Sequence, residues 1–333
     1  MRGGWCWTWT PAIITAPSGG DGAAGTFKET FGHHPLGTWF ANTGETPAWL
    51  LRPGNAGSNT AADHVTVLRR AMAGIPAGFG GEVLIRIDGA GASHEPMERM
   101  SSRSGGRRRV RFVCGWTVTA ADGEAIEKPP AEAWAAAVGR DGGLREDADV
   151  AELTGPSDRL GDRHVKGLRL IVRRTKASRR HAEKLTDYEK SSGRRYQITA
   201  TNITRMAGVP GSHHPFFIDV PYRRRGGAAE RGVRTGKAMG LTRLPSKMWN
   251  VNVSWMPAAN IADDLAAYTR LLGFAGTALA DATIDTLRSR IPHLPARLVR
   301  HARSRILKIP ADRPWSAEFT LAWRRLNVLT APT

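Results

Sequence analysis

Two acids and a lysine carry the chemistry that this sequence offers most directly. Asp88 follows the apolar run Val83-Leu84-Ile85-Arg86-Ile87. A carboxylate there stands at the carboxyl edge of a central strand, where α/β sheets place functional groups. The residues after it, Gly89-Ala90-Gly91-Ala92, have no bulk, so another molecule can approach closely. An Asp-Gly pair also opens turns and caps helices, and local sequence does not choose between these uses. Glu230 and Lys237 stand two turns apart on one face of a candidate helix. An acid and a base so placed can hold a metal ion and a phosphate together, although the pair alone reads as a solvated helix face.

Other chemistries are poorly supplied. Gly232 to Lys237 resembles a P-loop only superficially, because Ala238 stands where a magnesium-binding hydroxyl is needed. His33-His34, His94 and His213-His214 lack metal-ligand spacing. The two cysteines, Cys6 and Cys114, have no partner spacing, which argues against a disulfide framework and fits a reducing cytoplasm. No stretch is long and apolar enough to span a membrane, and Pro11 interrupts anything like a signal peptide.

The elements that must position these groups follow from periodicity. Trp5 to Ala16 reads as a buried strand, and Thr26 to Phe40 and Pro47 to Leu51 as two more. Asn59 or Thr60 caps a helix reaching Ile75, with Val65, Leu68 and Met72 on one face. The strand ending in Asp88, a helix from Glu95 and a strand from Val110 to Thr117 come next. Strands first and alternation afterwards imply a mixed sheet with helices packed on it. From about Asp122 to Arg205 the chain turns β-rich, with strands at Leu168 to Arg173 and Tyr196 to Asn202 around a very basic stretch. Arg223 to Lys237 reads as one Arg-rich helix, and Ile261 to Gly273 as an amphipathic helix with Ile261, Leu265, Tyr268 and Leu272 on its apolar face.

The balance of charge points to a partner. The 333 residues carry a formal net charge of +18, and the pI is about 11.0. Basic clusters recur at Arg103 to Arg111, Arg169 to Arg180, Arg223 to Arg225, Arg231 to Arg243 and Arg297 to Lys308. One such cluster is an ordinary solvated face. Five in a chain rich in core residues suggest a long electrostatic footprint, such as duplex DNA.

Several blocks together resemble the DDE transposases of bacterial insertion sequences, specifically the insertion-sequence 1380 type. They are Thr26-Phe27-Lys28 with Gly32-His33-His34-Pro35-Leu36, and the long block from Leu50 to His64. Arg86-Ile87-Asp88 to Glu95, Val150 to Gly155, Glu230 to Leu241, Asn252 to Trp255, Leu298 to Arg303 and Pro314-Trp315 follow in order. The resemblance implies a ribonuclease-H-like mixed α/β sheet flanked by helices, with an inserted β-rich subdomain. Residues 1–120 would form the first part of the core, 121–205 the insertion, and 206–333 the second part with the catalytic helix.

It also implies metal-assisted phosphoryl transfer on double-stranded DNA at transposon ends and target sites. Asp88 and Glu230 become the second and third acids and hold Mg2+ or Mn2+, while Arg225, Arg234 and Lys237 contact DNA. A homo-oligomeric active complex and a cytoplasmic, nucleoid-associated protein follow from the same resemblance.

Two departures stand out. Where the family ends its first strand with Asp-x-Asp, this sequence has Thr8 and Thr10, so the first acid is missing. One extra residue also separates Arg225 from Glu230, and one residue turns a helix by about 100°, which would point Tyr222 and Arg225 away from the acid. The expectation is a truncated or degenerate copy with impaired cleavage. The alternatives are a non-catalytic remnant that occupies transposon ends, and a general basic nucleic-acid-binding protein with its acids far apart.

Overall fold

The computed structural model describes residues 5–16, 19–57, 60–89, 93–103, 108–139, 141–155, 165, 167–178, 183, 185–206 and 208–329. Asn59, Ala90 to Ala92 and parts of the basic stretches around 104–107 and 179–184 therefore lie outside the described residues. The first half contains β1 (Trp5–Pro11), β2 (Ile14–Thr15), β3 (Ala24–Gly25), β4 (Phe31–His33), β5 (Leu36–Phe40), β6 (Ala48–Leu50), α1 (Ala61–Ala73), β7 (Glu82–Ile87), α2 (His94–Ser101), β8 (Arg109–Trp116) and α3 (Ala120–Glu127). Then come β9 (Ala135–Val138), β10 (Leu144–Glu152), β11 (Arg169–Lys176), α4 (Asp187–Ser192), β12 (Arg194–Thr201), α5 (Pro215–Arg223), α6 (Arg225–Gly236) and α7 (Trp249–Tyr268). The chain closes with α8 (Ile284–Arg290), β13 (Arg297–His301), β14 (Ser304–Lys308) and α9 (Ser316–Leu329).

A nine-stranded sheet in the order β6-β5-β1-β7-β8-β12-β11-β10-β9 carries the fold. β1, β7 and β8 run parallel at its centre, and β5 pairs antiparallel with β1. This is the ribonuclease-H-like mixed sheet expected from the sequence. Alternation sorts the strands' side chains. Trp7, Trp9, Ile85, Ile87 and Phe112 are fully buried in one core with residues of α1 and α2. On the other face Leu84 and Val113 pack with Ile218 and Tyr222 of α5. The strands of the β-rich stretch extend this same sheet: β12 pairs with β8, and β11, β10 and β9 follow outwards.

Two expected strands are each divided. The Trp5 to Ala16 run enters the large sheet as β1 and a small three-stranded sheet as β2. The Thr26 to Phe40 run turns at Glu29, which adopts φ 59, and splits into β4 of the small sheet and β5 of the large one.

The block from Leu50 to His64 is a structural clasp. Buried Arg52 donates from Nε to His34 O at 2.9 Å, and from one terminal nitrogen to Gly57 O at 3.0 Å and Asp63 Oδ2 at 3.3 Å. It ties the loop before β5 to the first turn of α1.

The apolar stripe expected to bury α7 and its extension faces water. Ile261 and Leu265 are each 61% exposed, and Tyr268 and Leu272 each 44%. The helix instead buries Asn252, Met256, Ala259, Asp263 and Ala267. The reason is polar: Thr46 Oγ1 donates to Asp263 Oδ2 at 2.6 Å and Thr46 N to Asp264 Oδ1 at 2.8 Å, while Tyr268 Oη donates to Glu45 Oε1 at 2.6 Å.

Burial pushes the Asp263 carboxyl up to about 7, and Asp264 up to about 6. A carboxyl raised in the folded state binds its proton more tightly there than in the unfolded chain. Its stability contribution is therefore complete below the ordinary carboxylate pKa and is lost as pH rises towards 7. Asp263→Asn keeps an acceptor for Thr46 and removes the buried charge. Thermal unfolding should show the variant more stable than wild type by roughly 1–3 kcal/mol at about pH 8, with the gap closing by about pH 4. An equal gap at both pH values would refute this account.

Candidate active site

Register brings the strand-end groups together. Trp9 pairs with Ile87 across the parallel β1–β7 ladder, so Thr10 and Asp88 are the next neighbours. Thr10 Oγ1 donates to Asp88 Oδ2 at 3.1 Å. The other carboxylate oxygen, Asp88 Oδ1, is buried and has no hydrogen-bond partner among the described residues. Asp88 is thus half committed, with one oxygen held by a hydroxyl and the other open.

Helix α6 crosses above this strand end. Glycine permits the crossing: a Cβ on Gly232 would lie 2.1 Å from Cδ1 and Nε1 of the Trp39 indole. With that close approach, Glu230 shares a cavity of about 790 Å³ with Asp88, Thr8 and Thr10. Arg223, Arg225, Arg234 and Lys237 line the same cavity, so four cations face two carboxylates there.

The expected single helix from Arg223 to Lys237 is broken. α5 ends at Arg223, Arg224 has ψ −1, and α6 begins at Arg225. Lys237 lies in a wider π turn, Lys237–Leu241, which Gly240 closes at φ 112. Only glycine enters that region without strain. The break at Arg224 frees Tyr222 from the periodicity of α6, whereas Arg225 and Glu230 both lie on α6 and keep the angle that the extra residue sets between them. The Arg225 guanidinium stacks 3.9 Å over the Tyr222 ring and donates to Tyr222 O at 3.0 Å, and it still faces the acid cavity. Tyr222 itself is buried behind the strand end, where a Cβ on Gly115 would meet its hydroxyl at 2.5 Å.

The structure therefore brings Asp88, Glu230, Arg225, Arg234 and Lys237 to one cavity. Among the described residues no group of three or more His, Cys, Asp or Glu side chains could hold a metal ion. By their chemistry the two carboxylates, one with an unpartnered oxygen, are donors that suit a single divalent ion. The set does not fit a pair of bridged ions, since the Thr10 hydroxyl cannot bridge two cations as a carboxylate does.

Sequence reasoning missed a second group of basic residues. Arg86, Arg224, Arg231 and Arg270 line a separate cavity of about 390 Å³. Arg224 and Arg231 belong to basic clusters visible in the sequence, but their convergence with Arg270 was signalled only by Arg86 inside the apolar run of β7, where an unpaired charge is costly.

A mixed sheet of this order, with one acid at a central strand end and a second on the helix crossing it, is the frame of a DDE-type catalytic domain. Residues 21–331 match the family described as Transposase DDE domain group 1, and the chain belongs to that family. No curated protein matches the sequence. A similar solved structure is the cryo-EM structure of piggyBac transposase in a synaptic complex with hairpin DNA. It is 11% identical with a TM-score of 0.48, and the match covers 98% of this chain and 54% of that one. The chain thus spans about half the length of that transposase. Among the described residues no helix is long and apolar enough to cross a membrane.

Proposed function

We propose that this chain is a transposase of the insertion-sequence 1380 type that acts on double-stranded DNA at transposon ends, with cleavage impaired by loss of its first acid. The observation that carries the reading is the Thr10 hydroxyl bonded to Asp88 at 3.1 Å, at the strand-end position where the family has a carboxylate. In this reading residues 1–120 and 206–333 form the catalytic core around the insertion at 121–205. The protein works in the cytoplasm at the nucleoid, as a homo-oligomer on its DNA.

Asp88 and Glu230 would hold the metal. A bound Mg2+ or Mn2+ ion supplies Lewis-acid polarisation of a phosphoryl oxygen and a more acidic bound water. The remaining side chains act on the DNA itself. Arg234 and Lys237, exposed on the cavity wall, attract and orient the phosphodiester. Arg225, held over Tyr222, presents a planar donor fork with little rotamer freedom left to lose. Thr10 holds Asp88 in one orientation, and its neutral hydroxyl leaves the cavity more positive than a third carboxylate would. A cavity with surplus positive charge grips phosphate even where it cuts slowly. That surplus supports the second reading, a remnant that occupies transposon ends without cleaving them.

The test is a nicking assay on a duplex carrying the inverted repeats that flank the gene, with Mg2+ or Mn2+. Slow, metal-dependent nicking abolished by Asp88→Ala and Glu230→Ala is the expected result. Binding to the same duplex should survive both substitutions and weaken in Lys237→Gln. Fast nicking insensitive to Asp88→Ala would sink the assignment. Binding with no nicking in either metal would favour the remnant.

A further inference from the structure

The second basic cavity and the acid cavity both border α6, and a smaller cavity of about 290 Å³, lined by Glu230, Arg231, Arg234 and Arg270, lies between them. Gly227, Ala228, Arg231, Gly232 and Thr235 face the second basic cavity, whereas Gly226, Ala229, Glu230, Val233 and Lys237 face the acids. Arg86 lies at its base and is 6% exposed. Arg86 Nε donates to Thr8 Oγ1 at 3.1 Å, and among the described residues no carboxylate pairs with its guanidinium. Taking such a charge out of water costs several kcal/mol unless an opposite charge meets it. Burial above all, with the positive charges of Arg225 and Arg224 and against an opposing contribution from Cys6, holds the Arg86 guanidinium below its ordinary value. Arg270, from the segment after α7, brings a second buried donor: its Nε has no partner. Burial and Arg231 lower Arg270 in the same way. Asp281, exposed at the rim, is the one acid lining the cavity.

We propose that this cavity is a phosphate-binding site in which Arg86, Arg231 and Arg270 hold the oxyanion. Guanidinium forks match phosphate geometry and remain charged at any physiological pH. The phosphate comes either from the backbone of a nucleic-acid strand or from a free phosphate ion. The site does not depend on the acids; only the nucleic-acid source draws on the function proposed above.

The test uses the full chain and two probes, inorganic phosphate by calorimetry and a short single-stranded oligodeoxynucleotide without terminal-repeat sequence by fluorescence anisotropy. Arg231 is exposed, so Arg231→Gln leaves the core untouched. Arg231→Gln combined with Arg270→Gln should weaken binding by about tenfold or more, while Lys190→Gln, at an exposed lysine of α4 that lines neither cavity, leaves phosphate binding unchanged. Arg270→Lys serves as a charge-keeping control for the half-buried position and should retain most of the affinity.

Loss of both probes in the double variant identifies a general phosphate site. Loss of the oligonucleotide alone identifies a phosphodiester site. If the double variant, with a wild-type unfolding temperature, binds both probes like wild type, the proposal is overturned. It is equally overturned if Lys190→Gln weakens both as much as the double variant does. Nicking at terminal repeats is scored separately through Asp88→Ala, so failure of the transposase reading leaves this result standing.

Discussion

Thr10→Asp raises metal-dependent nicking by about 100-fold or more over wild type, the scale on which one preorganised electrostatic contact affects an active site. Of the two threonines at the Asp-x-Asp positions, Thr8 is held by Arg86, whereas Thr10 already touches Asp88 Oδ2 at 3.1 Å from the neighbouring strand. An aspartate there can share cations with Asp88 and complete a set of three carboxylates with Glu230. The substitution has a cost that identifies its mechanism. Without metal, two carboxylates about 4 Å apart repel by about 4 kcal/mol at an effective dielectric of 20. One of them therefore holds its proton more tightly. The variant should unfold at lower temperature than wild type in chelator at neutral pH, recover in mild acid, and gain far more from Mg2+ than wild type does. Unfolding scans and the nicking assay read these effects independently. Strong stabilisation by Mg2+ with nicking still at the wild-type rate would mean that the damage lies elsewhere and that the first acid is not what limits cleavage.

Gly232→Ala has the largest expected effect on stability. Two effects oppose one another. Alanine in a helix interior is favoured over glycine by about 1 kcal/mol. Against that, the new Cβ would stand 2.1 Å from the Trp39 indole, which packs at a right angle to the Trp49 ring with centroids 5.1 Å apart. Overpacking a tight contact costs typically 1–3 kcal/mol and more where the neighbour cannot give. Neither indole has room, so the clash dominates and α6 must lift from β5 and β1. Denaturant unfolding should show a net loss of about 2 kcal/mol or more, and binding at the acid cavity should weaken because Glu230 and Lys237 move with the helix. Gly227→Ala is the internal comparison. Its Cβ meets nothing within 4 Å, so only propensity acts and the helix gains up to about 1 kcal/mol. Losses of similar size at both positions would show that the helix tolerates no side chain for some reason other than Trp39.

Much of the sheet was legible because its central strands are strongly apolar. The run from Val83 to Ile87 reads as a buried strand in any context, and Val110 to Thr117 nearly as well. β9 and the outer part of β10 were not legible. Ala135 to Ala137 are small residues with little strand preference, and Leu144 to Asp147 at the start of β10 are exposed and mostly charged. The face of α7 was misread for a physical reason. Periodicity reports which face is apolar, but Thr46 recruits Asp263 and Asp264 and turns the apolar face outwards. At the site, Asp88 and Glu230 were legible as strand-end and helix carboxylates. Their convergence was not, because it depends on Gly232 meeting Trp39 across nearly two hundred residues of chain. The break at Arg224 had only a weak sequence signal, Pro221 before it and the Gly226-Gly227 pair after it, and neither fixes where the helix divides.

The place of β1 in the sheet has a consequence for biosynthesis. It pairs with β5 on one side and β7 on the other, and Thr10 is separated from Asp88 by 78 positions. On a ribosome adding residues from the amino end, β1 emerges long before its parallel neighbour exists. During that interval an unpaired strand bearing Trp7 and Trp9 is a ready substrate for chaperones and for the same strand of a nascent chain nearby. Slow translation between β5 and β7 would lengthen that exposure, so the yield of native protein in a cell should depend on how quickly that stretch is decoded.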